Sequence, residues 1–245
     1  RQRQMCIRDS CEPAVARYLA LTGVPLNAHD LYKTGLATRY VPDKEDLGLD
    51  QLYAELSSAP AGELTTPLDR RGVPAPRRLE SGLFNEATLQ AVRDAFQQGN
   101  SVEAVRADLE TAREAAKKLQ GSCGWATREA ADGVLDVLDA AADGLQRGCP
   151  TALDVTLDAV DRLAARRGDA DPAAARYGRR VELAANARLG GAPDFAEGVA
   201  CVVGKRRGER PKWSNDASLV GAIARAVDGL GDEASLGDVV AGARG

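Results

Sequence analysis

Aromatic side chains are scarce: three Phe, two Trp and five Tyr make up 4% of the 245 residues. A core cannot be built around large rings, and the 44% of hydrophobic residues must supply it mainly through Ala, Leu and Val. Histidine occurs once, as His29. That excludes a zinc or iron site built on several imidazoles, and no metal ligands are assigned. Any Ser-His-Asp arrangement would have to use His29 beside Asp30, which reads more simply as a surface histidine near a helix start. The five cysteines (Cys6, Cys11, Cys123, Cys149 and Cys201) are odd in number and form no CxxC pair, so a disulfide framework is not expected and a reducing compartment is. No apolar run approaches the roughly 18 residues that span a bilayer, so no membrane partner is expected. An excess of positive charge is missing too. With 32 basic against 36 acidic residues the net charge is −4, which argues against direct nucleic-acid binding.

What the chain has in abundance is Ala-rich, charged sequence with regular apolar spacing, and this predicts helices. Pro13–Thr22 reads as a helix that Gly23 can close in the left-handed conformation. Asn27 can cap a short helix that stops at Gly35. Leu36–Val41 alternates and is the best strand candidate, so the expected fold is mainly α with at most one or two short strands near residues 36–41. Pro42 and Asp43 restart a helix to about Leu56. Residues 58–82 hold Pro60, Pro67, Pro74 and Pro76 and read as a loop or linker. Helical stripes then follow, from a cap at Asn85 through Val92 and Phe96, and from a cap at Ser101 through Val105 and Leu109. Further stripes run over 125–147, from Leu153 to Leu163, and from Pro172 and Pro193 onward. Two weaker ones cover 216–229 and 234–242.

Four segments carry more than periodicity. They are ARYLALTGVPLNAHDLYKTGLATRYVP at 16–42, CPTALDVT at 149–156, PDFAEGV at 193–199, and Lys205 followed by Pro211-Lys212-Trp213. In this order they resemble the C-terminal half of the 3-hydroxyisobutyryl-CoA hydrolases of the crotonase superfamily, and Trp125-Ala126 adds a weaker match. The sequence departs from that pattern at Arg39, Cys149, Ala200 and Gly204.

The resemblance implies the helical C-terminal part of a crotonase-type α/β fold. It divides the chain into a non-native, adapter-like head at 1–10, the end of the crotonase core at 11–57, the Pro-rich stretch at 58–82 and a helical region at 83–245. It implies hydrolysis of an acyl-CoA thioester, releasing 3-hydroxyisobutyrate in valine breakdown, in mitochondria, with CoA as part of the substrate and no separate cofactor. Alternatives from the same resemblance are a non-catalytic subunit of the mitochondrial ribosome, or an enoyl-CoA hydratase/isomerase. The chemistry needs two N–H donors for the thioester oxyanion and a carboxylate for water. The Gly-rich loop and the PE…PD stretch that supply these in the family would precede residue 13. No catalytic residue is therefore assigned, the true N-terminus with its targeting segment is expected upstream, and the chain alone should be inactive. The oligomeric state is left open.

Lys205 is the one residue that the resemblance assigns to CoA, with the run Arg206, Arg207, Arg210 and Lys212 read either as a solvated loop or as a phosphate contact. Trp213 reads as ordinary packing. Asp194 and Glu197 read as a helix N-terminal device rather than an acid/base pair, as do Asp43, Glu45 and Asp46. Asp154, Asp158 and Asp161, near Arg162 and Arg166, read as a solvated helix face. The apolar stripes at 13–22, 151–167 and 173–189 are expected to lack a partner within the chain, which would leave an exposed apolar patch.

Overall fold

The computed structural model describes residues 11–37, 39–41, 49–60, 63, 67–68, 84–122, 125–166, 172–204, 206–229, 237–238 and 241. These residues form ten helices: α1 (Pro13–Thr22), α2 (Ala28–Lys33), α3 (Leu49–Ser58), α4 (Glu86–Phe96), α5 (Val102–Ser122), α6 (Trp125–Arg147), α7 (Pro150–Ala164), α8 (Pro172–Gly191), α9 (Pro193–Val202) and α10 (Ser218–Asp228). The chain is mainly α, as its spacing predicts. Around Leu36–Val41 the described residues show only an isolated bridge at Tyr40. The expected restart at Pro42 and Asp43 lies outside the described residues, and α3 is described from Leu49. The Pro-rich stretch and the weak 234–242 pattern fall mostly outside them as well.

The chain divides into two compact units. Residues Pro25–Asn85 form one; Arg1–Val24 with Glu86–Gly245 form the other. In the smaller unit the Asn27 side chain accepts the Asp30 N–H at 2.8 Å, capping α2 as expected. Asp30 is fully buried, and its Oδ1 accepts the Phe84 N–H at 3.1 Å. His29 does sit at the start of this helix, yet it is not on the surface: its side chain is 13% exposed. Its Nδ1 lies 4.0 Å from Asp30 Oδ1, too far for a hydrogen bond. Asp30 therefore does not orient this imidazole as a triad aspartate would.

In the larger unit α1 lies at the centre, against α4, α6 and α7. Ala14, Val15, Ala16, Tyr18, Leu19 and Leu21 are buried there, so nearly the whole circumference of α1 is covered. Gly23 closes it at φ 64°, with its N–H on the Leu19 carbonyl. Arg17 leaves this apolar helix to make a fork on Asp161 of α7, with Nε to Oδ1 at 2.7 Å and Nη2 to Oδ2 at 2.9 Å. Its Nη1 donates to the carbonyls of Phe96, the last residue of α4, and of Gln97 just past it. One guanidinium thus ties three helices, using the planar array of donors that a lysine does not have.

Helices α5 and α6 pack on each other, with Val105, Leu109, Leu138 and Leu145 buried. The Ser101 hydroxyl accepts the Ala104 N–H and caps α5. Helices α7, α8 and α10 share a second cluster around Val155, Leu163, Tyr177, Val181, Ile223 and Val227. The stripes of α1, α7 and α8 therefore cover one another and their neighbours, against the expectation that they lack a partner. Among the described residues of this unit, the large apolar side chains left open are Leu119 on α5 and Phe195, Val199, Val202 and Val203 along and just past α9, which packs chiefly on α8. Nor are Asp158 and Asp161 of α7 part of a merely solvated face. Asp161 holds Arg17, Asp158 pairs with Arg162 at 2.7 Å, and Arg162 reaches Asp228 at 2.8 Å.

Candidate functional site

Helix α9 starts with Pro193 at its first position, where a missing N–H costs nothing. The PDFAEGV segment sets its geometry. Asp194 and Glu197 are three residues apart and so share a face. Asp194, 8% exposed, accepts the Ser214 N–H at 2.6 Å on Oδ1 and the Cys149 thiol at 3.3 Å on Oδ2. Glu197 accepts the Lys212 N–H at 2.6 Å and pairs with the Arg206 guanidinium. Between these ties Trp213 lies over Gly198, where a Cβ would stand 3.3 Å from its ring. The segments CPTAL, DFAEG and PKW, separate in sequence, thus meet at one place.

Electrostatics follow from the geometry. Burial by itself would raise the Asp194 carboxyl, but hydrogen bonds from Ser214 and Cys149 outweigh it, and the group lies below its ordinary value. The Lys212 N–H is the largest influence on Glu197, with Arg206 adding to it, and they also hold this carboxyl low. Burial pushes the Cys149 thiol up, and the neighbouring Asp194 adds to that. Two carboxylates held ionised by backbone donors are poor proton carriers near neutral pH, and a raised thiol is a poor nucleophile. Asp194 stands in the first turn of α9, but both acids serve as ties on a loop, a partner segment that spacing alone did not reveal.

The same residues border a cavity of about 570 Å³ whose lining is mainly apolar. Leu189, Phe195, Val199, Val202, Val203 and Trp213 form most of its wall, with Cys149 and Thr151 at the start of α7. Phe195 is 57%, Val202 67% and Val203 75% exposed. Arg207, Arg210 and Lys212 are exposed on the adjoining loop, whereas Arg206 is engaged by Glu197. Lys205, the position assigned to CoA by resemblance, lies outside the described residues, as do Asp43, Glu45 and Asp46. Among the described residues no group of His, Cys, Asp and Glu could hold a metal ion, and no helix is long and apolar enough to cross a membrane.

The enoyl-CoA hydratase/isomerase family model matches residues 7–222, most of the chain. The chain belongs to this family. Its membership places the chain in the crotonase superfamily and supports a CoA-related function of the crotonase type. No curated protein and no solved structure matches the chain. In this member of the enoyl-CoA hydratase/isomerase family, an apolar hollow stands beside two acids that are already engaged in holding a loop at its edge.

Proposed function

We propose that this chain belongs to a thioester hydrolase acting on 3-hydroxyisobutyryl-CoA, and that its part in the reaction is to hold the substrate. The observation that carries this reading is an apolar cavity walled in part by Trp213, on a loop that also carries the exposed cations Arg207, Arg210 and Lys212. An acyl-CoA has the complementary make-up: a neutral acyl-pantetheine arm and a phosphate-bearing head that cations attract. The four sequence segments that resemble the hydrolases support this substrate over an enoyl-CoA. Under the proposal the oxyanion donors and the water-handling carboxylate are supplied outside residues 11–245. The natural site of action would be the mitochondrial matrix, with no separate cofactor.

Thiol release from 3-hydroxyisobutyryl-CoA is the direct test, run beside hydration of crotonyl-CoA. The whole protein should release CoA from the first and leave the second unchanged. Residues 11–245 alone should bind the thioester without hydrolysing it above background. Hydration by the whole protein, with no thiol release, would replace the hydrolase reading with that of a hydratase.

A further inference from the structure

Between α9 and α10 the chain runs as a loop, and its course is set by a few contacts. The Arg206 and Gly208 N–H groups bond to the carbonyls of Ala200 and Cys201 at the end of α9. Beyond Gly208, two carboxylates tie the loop back to α9, with Glu197 on Lys212 and Asp194 on Ser214. Trp213 sits between those two points, lies on Gly198, and forms one wall of the cavity. Residues 206–214 also carry the exposed cations Arg207, Arg210 and Lys212. One short segment thus holds both halves of the recognition surface, and two acids of one helix face hold the segment.

We propose that residues 206–214 form a strap whose seating on α9 sets ligand affinity, with Glu197 and Asp194 as positioning residues. Glu197 stands outside the cavity lining, and Asp194, which borders the cavity, is already engaged by Ser214 and Cys149. Glu197 fixes the height of the strap through Lys212, Asp194 fixes its exit through Ser214, and together they press Trp213 against Gly198 to complete the wall. Cys149 completes the second anchor by donating to Asp194 Oδ2, so the start of α7 is coupled to the strap. The proposal deepens the acyl-CoA reading and depends on it for the identity of the ligand, but the strap itself can be tested without it.

The test uses the full chain with Trp125→Phe, so that emission reports Trp213 alone. Glu197→Ala removes the acceptor for the Lys212 N–H, the Arg206 guanidinium and the Cys201 thiol; Glu197→Gln retains a carbonyl that can accept the Lys212 N–H. Glu197→Ala should red-shift the emission and weaken butyryl-CoA binding about tenfold, with Glu197→Gln between it and the parent. A purely structural role would change the melting temperature without this graded order in affinity and emission. Unchanged emission in Glu197→Ala, or affinity within about twofold of the parent, would overturn the strap. If Glu197→Ala does not fold, Glu197→Gln decides on the same two readouts. If butyryl-CoA does not bind the parent, the ligand reading fails, while the emission shift still decides whether the acids seat the strap.

Discussion

Asp194 and Glu197 show how much of a residue's role depends on groups distant in sequence. Their spacing identifies a shared helix face, but it does not identify Ser214, Lys212 or Cys149 as the partners. The pH dependence follows from those partners. Both carboxyls are held below their ordinary values by hydrogen bonds present only in the folded chain. The stability they contribute is therefore complete above the ordinary carboxylate range, about pH 4, and is lost as pH falls through the lower folded values. Asp154 and Glu182 act in the opposite sense. Burial raises both, with Glu103 adding to the rise at Asp154, so they favour the folded state more as pH falls. Urea midpoints measured from pH 5 down to about pH 3 should fall, and the fall should be shallower in the double variant Asp194→Asn, Glu197→Gln. An identical acid profile in parent and double variant would show that these acids do not govern the loss.

At the scale of the helix, boundaries and faces were legible because they are written in local chemistry. Prolines at 13, 150, 172 and 193 open helices, Asn27 and Ser101 cap them, and Gly23 closes one. The pairing of helices was not legible. Arg17 lies in an apolar stretch with nothing nearby to announce Asp161, 144 residues away. Gly133 and Gly144 look equivalent within α6, yet only one lies at a crossing. A Cβ at Gly144 would stand 2.7 Å from the Thr22 carbonyl oxygen at the end of α1, whereas a Cβ at Gly133 would meet nothing within 4 Å. Gly133→Ala should therefore stabilise the chain by up to about 1 kcal/mol through helix propensity. Gly144→Ala should destabilise it by about 1–3 kcal/mol, because backbone cannot give way as a side chain can. Thermal melts of the two variants should move in opposite directions; a rise for Gly144→Ala would mean that α1 and α6 do not meet as closely as described.

Among the described residues of the larger unit, most large apolar side chains are covered, and four of the five left open, Phe195, Val199, Val202 and Val203, lie along and just past α9, with Leu119 of α5 the fifth. The sequence reading missed this because periodicity reports which face of a helix is apolar and not whether a neighbour covers it. Val202 and Val203 end an apolar run like those of α7 or α8, but α9 packs chiefly on α8 and both side chains stand open. An apolar dye such as anilinonaphthalene sulfonate should therefore bind the folded chain at this face rather than report a loosened core. Val202→Asp and Val203→Asp place a charge where the wild-type side chain is already mostly in water, so each should change stability by no more than about 0.5 kcal/mol. The same substitutions should remove most of the dye signal and, on the acyl-CoA reading, weaken butyryl-CoA by adding a negative charge beside its apolar arm. Undiminished dye binding, with melts unchanged, would place the open apolar surface elsewhere and detach α9 from ligand recognition.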